Sequence, residues 1–133
     1  MKQLFAFVLV LAAAVSSCKK NDNNQAAKLS GTYAGTFQRK VSGTGAVSNV
    51  SLSFSAEAWS GESQTVKYPA LSHGTFSTSG NKVTFKNESV WTAEFDWSLI
   101  LNGDYDINLF GNTVTITKTY DNGMLDIYTL VKH

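Results

Sequence analysis

Three turn signals, Asn102-Gly103, Gly111-Asn112 and Asp121-Asn122-Gly123, cut the stretch from Phe95 to Lys132 into four short runs of strand composition. Glycine-bearing turns this close together, between runs that alternate apolar and polar residues, mark consecutive hairpins and hence an antiparallel meander. Residues opposite each other in a hairpin point to the same face, so the alternation also sets the register. A two-residue turn at Gly111-Asn112 pairs Leu109 with Val114 and Ile107 with Ile116, leaving Thr113, Thr115, Thr117 and Thr119 on the other face. A three-residue loop at Asp121-Asn122-Gly123 sets Lys118 opposite Asp126, Ile116 opposite Tyr128 and Val114 opposite Leu130. At Asn102-Gly103 a type I′ turn would place Leu99 against Asp106. A longer loop, Asn102 to Asp104, instead pairs Leu101 with Tyr105, Leu99 with Ile107 and Trp97 with Leu109. Misplacing a large side chain costs about 1.5–3 kcal/mol, more than a turn preference supplies, so the longer loop is expected.

Upstream the same pattern continues. Leu29 to Val41 reads as a strand with Tyr33, Gly35 and Phe37 on one side. Val50, Leu52, Phe54, Ala56 and Ala58 alternate with Ser51, Ser53, Ser55, Glu57 and Trp59, the clearest half-buried strand. A short strand is expected over Gln64 to Tyr68, and His73 to Thr78 pairs with Lys82 to Asn87 across Ser79-Gly80-Asn81. No segment of the domain has convincing helical periodicity. The expected fold is all-β: an up-and-down antiparallel meander of about eight strands closed into a small β-barrel, with a two-sheet sandwich as the alternative. Closure removes the sheet edges that invite aggregation.

The chain has 133 residues, room for one domain. Its single cysteine excludes a disulfide framework or a cysteine-based zinc site. Residues 29–133 carry seven basic and nine acidic side chains, near −2 and too balanced to imply nucleic acid as a partner.

The N-terminal segment has a separate logic. Lys2 precedes an apolar run from Leu4 to Val15, too short to span a bilayer, which takes about 20 residues. A basic start, a short apolar middle and small residues describe a secretory signal. Val15-Ser16-Ser17-Cys18 resembles the lipobox of bacterial lipoproteins, which implies a signal peptide over 1–17 and acylation of Cys18. Two or more acyl chains convert marginal membrane binding into stable anchoring. Residues 19–28, Lys-Lys-Asn-Asp-Asn-Asn-Gln-Ala-Ala-Lys, are polar and without hydrophobic period, as a tether requires. The string Ser-Ser-Cys-Lys-Lys-Asn-Asp is similar to the start of small lipoproteins of the Bacteroidota, implying the cell envelope and its outer membrane, with the membrane face left open.

Leu29-Ser30-Gly31-Thr32-Tyr33-Ala34-Gly35-Thr36-Phe37 resembles the opening strand of lipocalin-like barrels, with Tyr33 in place of the aromatic that packs under the floor. This resemblance implies binding of a small apolar or amphipathic molecule, without a cofactor. The domain is shorter than typical lipocalins and lacks their C-terminal helix and downstream Arg motif, which points toward a filled interior.

Trp59, Tyr68, Trp91 and Trp97 are candidates to line a binding mouth, since aromatics combine contact area with a polar handle. Plain core and rim packing is their simpler role. Lys118 and Asp126 could form an inward ion pair near one rim, or an ordinary surface pair. Asn102, Asp104 and Asp106 supply oxygens but lack the calcium-loop spacing, so no metal is expected. His73 has no neighbouring nucleophile motif and no Gly-x-Ser-x-Gly occurs, so no enzyme is expected. Two functions compete: a membrane-anchored ligand-binding barrel, and a structural or protein-interaction lipoprotein with a packed barrel.

Overall fold

A computed structural model describes residues 28–92 and 94–133. The signal segment, Cys18 and the tether up to residue 27 lie outside the described residues. Eight strands follow in order: β1 (Gly31–Lys40), β2 (Val47–Ser55), β3 (Ala58–Ser63), β4 (His73–Ser79), β5 (Lys82–Asn87), β6 (Gly103–Phe110), β7 (Thr113–Thr119) and β8 (Leu125–Lys132). Each pairs antiparallel with the next and β8 returns to β1, giving a closed barrel in sequence order. The expected meander is therefore the fold, and the sandwich is excluded.

The register of the last three strands follows the alternation. Leu109 lies opposite Val114, Ile107 opposite Ile116, Ile116 opposite Tyr128, and Lys118 opposite Asp126. Tyr33 and Phe37 face inward from β1, as their spacing requires. Gly35 between them lets β1 approach β8 closely, because a Cβ there would run into the Thr129 carbonyl.

Three expectations fail for local reasons. The run from Phe95 to Leu101 is not a strand; Trp97–Leu99 form a 3₁₀ turn, capped by the Asp96 side chain accepting from the Ser98 amide. The pairings of Trp97 with Leu109, Leu99 with Ile107 and Leu101 with Tyr105 therefore do not form; β6 pairs with β5 instead, Val83 opposite Tyr105. Capping inside an alternating run turned the chain where hydrophobicity alone implied extension. The run from Val50 to Ala58 is also interrupted: the chain reverses at Ala56-Glu57, where Ala56 takes a φ of 53°. That reversal places Trp59 opposite Phe54, on the inward face rather than the polar one. Finally, Gln64 to Tyr68 is a series of turns, not a strand.

The interior is full. Phe37, Leu52, Trp59, Phe85, Ile116, Tyr128 and Leu130 are each 2% exposed or less. Their rings meet mostly edge to face: Trp59 and Phe85 at 5.9 Å, Phe85 and Tyr105 at 5.6 Å, Tyr33 and Phe54 at 5.6 Å. An eight-stranded barrel is just wide enough for such side chains.

The two ends differ. Turns at 56–57, 80–81 and 111–112 close one end, which also receives the start of β1. The other end carries the long connections 64–72 and 88–102. These two cross the mouth and bond to each other. The Ala70 amide donates to the Leu99 carbonyl at 2.9 Å, and the Leu101 amide to the Ala70 carbonyl at 3.3 Å. Ala70 and Leu101 are buried beneath the crossing, plugging the mouth.

Replacing Trp59 with Ala is expected to cost about 3–5 kcal/mol. Trp97→Ala, at a position 59% exposed, should stay within about 0.5 kcal/mol. Urea unfolding of the two variants checks the inward assignment of Trp59; equal midpoints would contradict it.

Candidate functional site

The mouth loops are held down by one side chain. Continuing the inward alternation of β1 past Tyr33 and Phe37 places Arg39 inside, 7% exposed. Opposite it on β8 stands Asp126, 2% exposed. The guanidinium grips this carboxylate with two bonds, Nε to Oδ1 at 2.7 Å and Nη2 to Oδ2 at 2.8 Å. Its remaining donors reach up to the 88–102 connection: Nη1 to Asp96 Oδ2 at 3.0 Å and Ser98 Oγ at 2.9 Å, and Nη2 to the Ser98 carbonyl at 3.2 Å. The Tyr120 hydroxyl completes the cluster, accepting from Nη2 at 3.2 Å and donating to Asp126 Oδ2 at 2.7 Å. A planar guanidinium with five donors suits a buried role that joins three chain segments.

The protonation states follow from these contacts. The Asp126 hydrogen bond pushes the Arg39 guanidinium above the ordinary arginine range, against the opposing effect of burial. Burial, reinforced by the Asp126 bond, pushes the Tyr120 phenol well up, so it remains a neutral donor at physiological pH. Bonds from the Ser98 hydroxyl and amide, aided by the Arg39 charge, hold the Asp96 carboxyl below its usual range.

Beside this clamp the 88–102 connection carries a chain of aromatics. Trp91 lies 5.9 Å from Phe95, and Phe95 lies 6.3 Å from Trp97, while the Lys67 ammonium sits 5.0 Å from the Phe95 ring centre. Trp91 and Trp97, with Val90 and Ile100, wall a cleft of about 450 Å³ whose polar edge is Asn87, Ser89 and Asn102. The Trp91 indole N–H donates to Asn87 Oδ1 at 3.1 Å, and Asn102 Oδ1 accepts from the Asn87 amide at 2.9 Å. Trp91 also borders neighbouring clefts of about 330 and 310 Å³. A larger groove of about 650 Å³ lies away from these loops, over the outward Thr75, Ser77, Thr84 and Lys86.

Of the sequence-picked residues, Trp91 and Trp97 come together at this cleft. Trp59 does not join them, being enclosed in the core. Tyr68 is a brace: its ring packs on Phe37 at 5.2 Å, and its hydroxyl accepts from the Arg39 amide and donates to the Ala46 carbonyl at 2.8 Å. The register of Lys118 and Asp126 is as expected, but Asp126 takes Arg39 as its cation. The Lys118 ammonium lies 5.1 and 5.5 Å from the Tyr105 and Tyr120 ring centres. Arg39, Asp96, Ser98 and Tyr120 were missed, although the inward parity of Arg39 on β1 called for a buried partner.

Compared with protein-family models, curated proteins and solved structures, the chain matches none. The chemistry of the mouth must be read from its own residues.

Asp104 and Asp106 are engaged by Thr84 and Lys82. Among the described residues no three His, Cys, Asp or Glu side chains converge to hold a metal. Ser72 and Ser89 bring their hydroxyls to 3.2 and 3.0 Å from His73 Nδ1, a hydrogen-bonded joint between the two mouth connections. The arrangement as a whole can receive a small molecule with an apolar body and a polar edge.

Removing one member of a buried ion pair leaves the other uncompensated, at about 3–5 kcal/mol. Arg39→Leu should destabilise by that order in urea unfolding, while Lys118→Leu should cost much less; comparable losses would refute the assignment. The depressed Asp96 carboxyl contributes fully above the ordinary carboxylate range, pH of about 4. That contribution is lost as pH falls through its own lower value. Protection factors for amide exchange at residues 97–101, corrected for the intrinsic rate at each pH, should therefore fall below about pH 4, and Asp96→Asn should flatten this acid response.

Proposed function

We propose that the protein is a lipocalin-like lipoprotein of the cell envelope, anchored in the outer membrane through acylated Cys18, that binds a small apolar or amphipathic molecule without catalysing a reaction. The binding site is the cleft at the mouth, not the barrel axis. One observation carries this reading: two tryptophans and two aliphatic side chains wall the cleft of about 450 Å³ beside three polar side chains, while the axis is packed with side chains. Clefts of about 300–1,000 Å³ with apolar walls and a few convergent polar groups are the usual form of small-molecule sites. The lipobox resemblance supports the anchor, and the small closed barrel is consistent with the lipocalin-like resemblance of the opening strand.

A second reading draws on the exposure of Val66, Val90 and Trp97, 82%, 90% and 59%, around the same mouth. Apolar residues standing in water at one end suit a protein partner seated on the loops, with the packed barrel as a scaffold. Mass spectrometry of the intact protein released from its own membrane separates the two, by a bound small molecule in one case and a bound polypeptide in the other.

For the cleft itself, 1-anilinonaphthalene-8-sulfonate and laurate serve as probes on the acylated full-length chain. Trp91→Ala and Trp97→Ala should each weaken probe binding by about tenfold, the scale of an aromatic anchor. Thr84→Ala, in the larger groove, should leave it unchanged. Equal binding by all three variants would remove the cleft as the site.

A further inference from the structure

The turn end of the barrel has an apolar outer surface that neither the core nor the mouth cleft uses. Phe110, the last residue of β6, is 85% exposed. The register sets Phe110 opposite Thr113, Thr113 opposite Val131, and Val131 opposite Ala34. Opposed residues share a face, so these four side chains form one outward row across β6, β7, β8 and β1. Val131 is 47% exposed, and the row adds methyl groups from Ala34 and Thr113 beside the phenyl ring.

The row lies where the chain enters the barrel. The Lys132 amide donates to the Asn112 carbonyl at 2.9 Å, and the His133 amide donates to the Thr32 carbonyl at 3.0 Å. The 111–112 turn and the first residues of β1 thus flank the same end of β8. Two exposed cations belong to this end: Lys28, three residues before β1, and Lys132, which lies opposite Tyr33 and holds its ammonium 6.0 Å from that ring's centre, across the end of the barrel. The nearest acidic side chain on β6, Asp106, is already paired with Lys82.

We propose that this end of the barrel rests against the bilayer, with Phe110 entering the interfacial layer and Lys28 and Lys132 meeting anionic headgroups. The inference rests on the proposed acylation of Cys18 and adds an orientation to it. Lys28 is ten residue steps after Cys18, so the entry point cannot stand more than about 35 Å from the lipid. An exposed phenyl ring with lysines at the same end of the barrel suits a membrane–water boundary. A second copy of the chain fits less well: a stable dimer buries about 800 Å² on each partner, and one phenyl ring with a valine supplies a fraction of that. In this pose the Trp91–Trp97 cleft, at the opposite end, opens away from the membrane.

Acylation consumes the thiol of Cys18, so a newly introduced cysteine is the single labelling position in the acylated full-length protein. A nitroxide at Asn112→Cys, next to an intact Phe110, is compared with one at Val90→Cys at the mouth. Both proteins are reconstituted in phosphatidylcholine–phosphatidylglycerol vesicles. The ratio of oxygen to nickel-chelate accessibility should be at least threefold higher at 112 than at 90. Adding Phe110→Asp should bring the ratio at 112 down to that at 90 while the protein still floats with the vesicles. Equal ratios at 112 and 90 in protein that floats would overturn the contact and leave the anchor standing. Protein that fails to float and lacks the acyl mass would overturn both. Shielding at 112 without vesicles, with a doubled molecular mass, would overturn the contact in favour of a dimer.

Discussion

The buried guanidinium of Arg39 is the point on which the mouth of this barrel depends. Its grip on Asp126 ties the first strand to the last, and its remaining bonds fasten the connection that crosses the opening. Charges taken out of water are expensive, and this pair repays the cost by having nearly every donor occupied. No buried side-chain polar atom among the described residues is left without a partner. The Arg39 bonds to Asp96 and Ser98 hold the 88–102 connection against the barrel wall.

Filling the axis with aromatic side chains has a complementary effect. Trp59, Phe85, Tyr105 and Tyr128 make the strands a rigid core with no place for a guest. The small-molecule site proposed above therefore falls to the connections. The asymmetry of the ends permits this: tight turns at one end, and at the other two long segments that brace each other and expose Trp97. In the proposed reading the barrel supplies stiffness and the mouth loops supply the binding surface.

Much of this was legible in the residues. From Ile107 to Leu130 the alternation is strict and the turns are short, so each hairpin register is a local matter and came out correctly. Legibility ended where local and non-local preferences compete. Trp97, Leu99 and Leu101 alternate as a strand would, yet the Asp96 side chain captures the Ser98 amide and hydroxyl and coils the segment. The partner of Asp126 was misread for a different reason. Hairpin reasoning offers only the neighbouring strand, where Lys118 stands, whereas Arg39 arrives from the opposite end of the sequence by closure. Lys118 has a long enough stem to carry its ammonium over two tyrosine rings instead. The aromatic cleft was visible as a dense composition over Trp91 to Trp97, but which rings meet depends on a loop path that no periodicity encodes.

Closure through β1 and β8 also imposes an order of events on synthesis. The first strand waits for the last, since Tyr33 through Lys40 have one neighbour missing until Leu125 through Lys132 exist. Until then the guanidinium of Arg39 lacks Asp126, its buried counter-ion, and the sheet keeps two raw borders. Contacts this distant in sequence form slowly. For the exported lipoprotein proposed above, that delay would be useful: the chain would leave the ribosome still loose enough to be threaded through a translocation pore, and would complete its circle on the far side.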